Sequence, residues 1–148
     1  MHASRLKDTV FLTQTDTTIG FVSQNADKLT EIKQRPAHKH YIKAVNSLQT
    51  LTTFTRVPQK HKNRVRRSTK TTFVMPNKES YRIIFDTHHL LLLDRLKWVL
   101  TSSANLSNEA YDEVFAKKMA DVIVEPLMGT REASRIYKLG THTLKRIR

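Results

Sequence analysis

Apolar and polar positions alternate in short blocks along the chain. Val10–Leu12 predicts a strand, Thr13–Thr18 a polar turn, and Ile19–Val22 a second apolar stretch. Between Ala26 and Lys33, Leu29 and Ile32 recur with the Lys33 stem at helical spacing. Asn25 or Ser23 suits the cap of that helix, and Pro36 bars its continuation. Tyr41–Val45 alternates like a strand, and Ser47 caps a weak helix through Phe54. Pro58–Lys70 has no strong apolar period and reads as a surface loop or short helix.

Further on, Thr71–Met75 and Tyr81–Phe85 are rich in β-branched and aromatic residues, with Pro76 and Asn77 turning the chain between them. Asp86 or Thr87 caps a helix over His88–Leu96, and Trp98–Ser102 returns as a buried strand. Asn108 or Ser107 starts a helix to about Met119. Val122–Val124, Ser134–Leu139 and Thr143–Ile147 read as strands. Short strands interleaved with short helices predict an α/β fold, a twisted mixed sheet flanked by helices. Residues 1–148 fit one domain.

Charge changes this picture more than composition does. Apolar residues make up 39% of the 148, enough for a core. There is no cysteine, which removes disulfides, thiolate nucleophiles and Cys-based zinc sites. Met1–Val10 lacks the apolar core of a signal peptide, and the run Leu90–Leu93 is too short to span a membrane. A cytoplasmic location, with no membrane partner, is the expectation. Lys and Arg total 26 against 13 acidic residues, a net charge of +13. Lys60, Lys62, Arg64, Arg66, Arg67 and Lys70 crowd one segment without a carboxylate among them. Such clustering attracts polyanions by field and counterion release, so nucleic acid or nucleotide phosphate is the expected partner.

Three polar clusters carry candidate chemistry. Thr13–Thr18 follows a strand; its hydroxyls suit a pocket wall, and equally an ordinary Thr-rich turn. Thr101–Ser107 lies between a strand and a helix, where small residues let backbone approach a phosphate. An N-cap with an Asx-turn uses the same residue types. Lys33 and Arg35 flank Gln34 before Pro36; they suit a phosphate clamp, or simple dipole complementarity at a helix end.

Taken in order, these clusters resemble the YrdC/YciO family, whose marks are a Pro-Thr-Asp-Thr-like turn, a Lys-x-Arg-Pro and a Ser-Ala-Asn-x-Ser. The counterparts are Gln14–Gly20, Lys33–Pro36 and Ser103–Ser107. Thr72-Phe73-Val74, Arg82 and Ser134-Arg135-Ile136 are similar to further family segments, so the likeness spans nearly the whole chain. The resemblance implies a YrdC-like fold with a concave basic surface. It also implies L-threonylcarbamoyladenylate synthase activity: ATP, L-threonine and bicarbonate give threonylcarbamoyl-AMP and pyrophosphate, for the threonylcarbamoyl-adenosine modification of tRNA. In that nucleotidyltransferase reading, Lys33, Arg35 and Thr17 are catalytic, and Lys33, Arg35, Ser103, Asn105 and Ser134 bind ATP. Thr15, Thr17 and Arg82 face threonine and bicarbonate. Mg²⁺ arrives with the nucleotide, with Asp16 the nearby carboxylate. A threonylcarbamoyl-transferase complex is the implied onward partner.

The basic run Lys60, Lys62, Arg64, Arg66 and Arg67 is the expected RNA contact. Departures from the pattern point to a shorter, divergent relative: Gln14 for the usual proline, Ile19 for an aromatic residue, Ser68-Thr69-Lys70 for a Pro-Gly-Pro. They support an alternative, a non-catalytic YciO-like module binding double-stranded RNA, tRNA or ribosomal RNA. The histidines His38, His40, His61, His88, His89 and His142 have no carboxylate or cysteine at ligand spacing, so no metal site is expected. No Ser-His-Asp order, Walker loop or carboxylate pair suggests a hydrolase or P-loop enzyme.

Overall fold

The structure, a computed structural model, describes residues 3–36, 40–106, 109–129 and 133–148. Helix α1 (Ala3–Asp8) leads into the antiparallel pair β1 (Phe11–Gln14) and β2 (Ile19–Ser23), then helix α2 (Ala26–Lys33). Next come β3 (Ile42–Val45), α3 (Leu48–Thr52), and a 3₁₀ turn (Gln59–His61) running into α4 (Lys62–Arg67). The hairpin of β4 (Thr71–Val74) and β5 (Ser80–Ile83) follows, then α5 (Thr87–Leu96) and β6 (Trp98–Ser103). Helix α6 (Glu113–Met119) and strands β7 (Val122–Val124), β8 (Arg135–Leu139) and β9 (Leu144–Arg146) complete it. The described strands form one sheet in the order β7-β1-β2-β6-β3-β5-β4-β8-β9. The pairs β1–β7, β3–β5 and β4–β8 are parallel and the others antiparallel, so the sheet is mixed, as the interleaved pattern implied.

Local signals explain the helices. The Asn25 side chain accepts from the Lys28 N–H at 3.2 Å to start α2, and Gln34 ends it in the left-handed conformation (φ 51°) ahead of Pro36. Asp86 accepts from the His89 N–H at 3.1 Å to start α5. The helix expected from Ser107 or Asn108 starts later, at Glu113. Asp112 caps it by accepting from Val114 and Phe115, while Ser107 and Asn108 lie outside the described residues. Thr13 and Gln14, expected in the turn, extend β1 instead, because their backbones still pair with Gly20 and Ile19. The basic segment is helical over Lys62–Arg67, anchored by one buried residue, Val65.

Successive strand residues point to opposite faces, and the core divides accordingly. Leu12 and Phe21 pack with Leu29 of α2 and Ala116 of α6. Val45, Phe73, Tyr81 and Ile83 pack with Leu51 of α3 and Val65 of α4. Phe11, Val22, Ala44 and Val99 turn the other way, toward Leu93 of α5. Each fully buried Leu or Phe contributes about 2 kcal/mol, so these clusters fix which face each strand presents. Arg82, between Tyr81 and Ile83, therefore points to the α5 face. It pairs there in register with Ala44.

Candidate functional site

A buried guanidinium organises the site. Arg82 Nη1 donates to Asp16 Oδ1 at 3.0 Å and to Thr17 Oγ1 at 2.9 Å, with all three residues buried. Burial pushes the Asp16 carboxyl upward, with Arg82 pulling against it. A neutral Asp16 would leave the buried Arg82 charge uncompensated, so the ionised pair is the favoured state. The Thr15–Thr18 turn holds itself by Thr15 N–H to Thr18 O at 3.1 Å, Thr15 Oγ1 to the same oxygen at 2.5 Å, and Thr17 N–H to Thr15 Oγ1 at 3.2 Å. Both readings of the cluster are realised: it is a hydroxyl-bonded turn, and it walls a cavity. Gly20 permits this arrangement. A Cβ there would stand 3.0 Å from both Ser102 O and Thr15 Cγ2, so any side chain would push the turn off β6.

The second and third clusters meet through Lys33. Its Nζ donates to Ser103 O and Asn105 O at 2.7 Å each, and lies 3.4 Å from Asn105 Oδ1. Burial first, and then the Arg35 charge, pull its ammonium down to about 8. An ammonium has three donors, and these oxygens engage them. Lys33 thus braces the turn that follows β6, while its neighbour Arg35 lines the cavity. Asn105 does not bond the next helix. Its amide donates to Leu106 O and Glu109 O, and its Oδ1 accepts from Ser103 Oγ at 2.5 Å.

The cavity has a volume of about 240 Å³. Thr15, Thr17 and Thr18 form one wall, Thr101–Ser103 another, and Arg35, Arg82, Ser134 and Arg148 supply cations and a hydroxyl. Among the described residues its lining has three guanidinium groups and no carboxylate. Arg35 donates Nη2 to His40 O at 2.7 Å and stacks 4.6 Å from the Tyr41 ring centre, and its buried Nε has no partner among the described residues. Ser134 Oγ meets Thr72 Oγ1 at 2.9 Å, and Arg148 donates Nε to Ser134 O at 2.9 Å. Such a lining suits an anion with several oxygens, met by guanidinium forks and hydroxyl donors.

Sequence reasoning missed Arg148, which also lines this cavity; Thr101, from the expected Thr101–Ser107 cluster, and His40 line it as well. Gln14, the departure at the family's proline, has a structural use. Its Nε2 donates to Gly129 O at 3.0 Å and its Oε1 accepts from Met128 N at 2.8 Å, which ties the end of β1 to the segment that follows β7.

The expected RNA contact sits elsewhere. Val65 packs α4 against the face bearing Phe73 and Tyr81, whereas Thr72 and Arg82 point through the sheet to the cavity. Arg64, Arg66 and Arg67 are exposed on α4, and Lys60 and Lys62 lie just before them. His38 lies outside the described residues; His40 pairs with Glu79 at 3.2 Å. His89 is buried with neither ring nitrogen partnered among the described residues, and burial, then the Arg82 charge, pull it down to about 4. Among the described residues, no three His, Asp or Glu side chains group as a metal site requires. No helix among them is long and apolar enough to cross a membrane.

No protein-family model and no curated protein sequence matches the chain. Solved structures do. Sua5 of P. abyssi complexed with L-threonine superposes with a TM-score of 0.81 at 17% identity, covering 99% of this chain and 52% of that one. E. coli YciO gives 0.77 at 16% identity, over 98% and 85%. Full-length HypF in a phosphate- and nucleotide-bound form gives 0.76 at 14% identity, over 99% and 28%. The chain spans about half the length of the Sua5 structures it matches. It has the fold of Sua5 and YciO, the YrdC-like fold that its ordered motifs imply.

Proposed function

We propose that the cavity binds ATP with L-threonine and bicarbonate, and that the chain is an L-threonylcarbamoyladenylate synthase serving tRNA modification. The observation that carries this reading is the convergence of Arg35, Arg82 and Arg148 with the Thr15, Thr17, Ser102 and Ser103 hydroxyls around one cavity whose described lining has no carboxylate. In the reaction, threonine and bicarbonate condense to a carbamate with loss of water. The carbamate oxygen bonds to the α-phosphorus, and the bond from that phosphorus to the bridging oxygen breaks, releasing pyrophosphate. Little strong acid or base is needed. What must be supplied is positioning and charge neutralisation.

Arg35 and Arg148 would take up charge on the departing pyrophosphate, while Arg82, held by Asp16 and Thr17, would face the threonine carboxylate or the carbamate. Thr15, Thr17 and Ser134 would orient the same groups, and Ser103 would reach phosphate or ribose. Lys33 and Asn105 would act one step back, by shaping the turn that carries Ser103. The cavity suits a phosphate tail or an amino acid, so the adenosine would extend beyond it. With no carboxylate along the described lining and Asp16 committed to Arg82, Mg²⁺ would be carried by phosphate oxygens and water.

Support from the fold comes from the neighbours whose structures hold L-threonine, and phosphate with nucleotide. The test is pyrophosphate release from ATP that requires both threonine and bicarbonate. Release independent of either, or none, rejects the reading. A second reading, a non-catalytic module that docks tRNA or another RNA, is favoured by the exposed basic side chains of α4 and by Lys33 being occupied with protein oxygens. ATP-induced stabilisation separates the two: the enzyme gains it and the module does not. Hand-over to a threonylcarbamoyl-transferase complex belongs to the first reading.

A further inference from the structure

A second cavity, of about 590 Å³, lies between the α3–α4 connection and two turns, the Pro76–Asn77 hairpin and the β8–β9 turn. Its apolar surface comes from Phe54, Pro58 and Pro76, and its polar rim from Arg56, Gln59, Lys60, Asn77, Thr141 and His142. The parts are fastened together. Lys60 Nζ donates to His142 O at 3.3 Å, and Asn77 holds the hairpin by donating to the Tyr81 hydroxyl at 3.1 Å and accepting from Glu79 N at 2.9 Å. Phe54 is set by an edge contact with Trp98, ring centres 5.8 Å apart, and by the Lys43 ammonium 4.0 Å from its own centre.

Two features identify the occupant. The described lining contains Arg56 and Lys60 and no carboxylate, so the site selects an anion. Phe54 and two prolines line it; the Lys43 ammonium covers one face of the Phe54 ring, and the other side suits a flat, apolar body. A nucleotide joins both in one ligand. The exposed cations Arg64, Arg66 and Arg67 continue from this rim along α4, giving a track on which adjoining phosphates can sit. A duplex presents only phosphates to such a track, because its bases are stacked inside. A single strand can place a base on Phe54.

We propose that this cavity is the base-binding pocket of a single-stranded RNA site. One unpaired base stacks on Phe54 between Pro58 and Pro76, its flanking phosphates rest on Arg56 and Lys60, and the strand continues over α4. The pocket lies on the α3–α4 side of the sheet and needs no ATP or threonine. Binding is therefore measured without them, and its failure would leave the nucleotide reading of the other cavity untouched.

The test compares a fluorescent single-stranded RNA of mixed sequence with its fully paired duplex by anisotropy. The full chain should prefer the single strand. Phe54→Leu, which retains apolar bulk, should weaken single-strand binding about tenfold and leave duplex binding within about twofold, as the loss of one base stack requires. Charge reversal of Arg64, Arg66 and Arg67 should weaken both RNAs and flatten their salt dependence. Thiouridine-substituted RNA irradiated on the unmodified chain should crosslink to the segments around Phe54–Lys60 or Pro76–Asn77, a readout that does not rely on any variant folding. Equal affinity for the two RNAs, an unchanged or equally weakened Phe54→Leu variant, or crosslinks confined to other segments would each overturn the proposal.

Discussion

Lys33 Nζ reaches the backbone oxygen of Ser103 across 2.7 Å, joining the end of α2 to the end of β6. Seventy positions separate the two residues, and the same ammonium also holds Asn105 O at 2.7 Å. Lys33→Met keeps the stem but takes the ammonium donor away from two part-buried carbonyls. It should destabilise the fold by about 2 kcal/mol and loosen the Ser103 wall, weakening ATP binding alongside. Equilibrium urea unfolding checks this, and an unchanged midpoint would return Lys33 to a direct ligand role.

Arg35 should behave differently from its neighbour. Among the described residues its fold contacts are an exposed bond to His40 O and the Tyr41 stack, and its buried Nε has no partner there. Arg35→Ala should therefore lower ATP affinity about tenfold or more with little change in stability. Calorimetric titration with ATP measures the loss, and the melting temperature serves as the control.

The Arg82–Asp16 pair makes a non-additive prediction. Removing Asp16 alone leaves a buried guanidinium uncompensated and should cost about 3–5 kcal/mol. Asp16→Ala combined with Arg82→Met should cost less than the sum of the single changes. A double-mutant cycle by denaturant unfolding reads the coupling, and additive losses would mean that the pair contributes nothing as a pair.

Acid should weaken the fold through His89. Its folded value of about 4 lies below the ordinary 6.5, because burial and the Arg82 charge disfavour the imidazolium, with His88 adding and Asp86 opposing. Between those values the unfolded chain binds a proton that the folded chain does not. Stability contributed by neutral His89 is thus complete above pH 6.5 and lost as pH falls toward 4, by about 3 kcal/mol at most. His89→Leu should flatten that part of the stability–pH curve. An identical slope in the variant would place the acid sensitivity in other groups.

Much of the fold is legible in the chain because strand and helix signals are local. Alternation at Tyr81–Ile83, caps at Asn25 and Asp86, and the stop at Pro36 each act within a few residues. The start of α6 differs from the expectation because Asp112, five residues beyond Ser107, makes the cap, and a short polar run does not say which of its residues will cap. Of the cavity lining, the Thr15–Thr18 turn, Arg35, Arg82, Ser103 and Ser134 belong to the ordered motifs. Arg148 does not: it follows Lys145 and Arg146 in an unremarkable basic stretch, and only the β8–β9 return places it on Ser134. The division between the arginine-lined cavity and the basic helix was equally hidden. It depends on which way Val65 and Arg82 face, and the clustering of charge in sequence says nothing of that.

The most direct measurement follows the carbon of bicarbonate. The full chain is incubated with ATP, L-threonine and isotopically labelled bicarbonate, and AMP adducts are analysed by mass spectrometry. The account predicts a threonylcarbamoyl-AMP carrying the label, formed together with pyrophosphate and strongly reduced in Arg35→Ala, whose side chain lines the cavity without bracing the fold. An absent adduct, an unlabelled one, or full activity in Arg35→Ala would contradict the assignment of this cavity as the site of threonine activation.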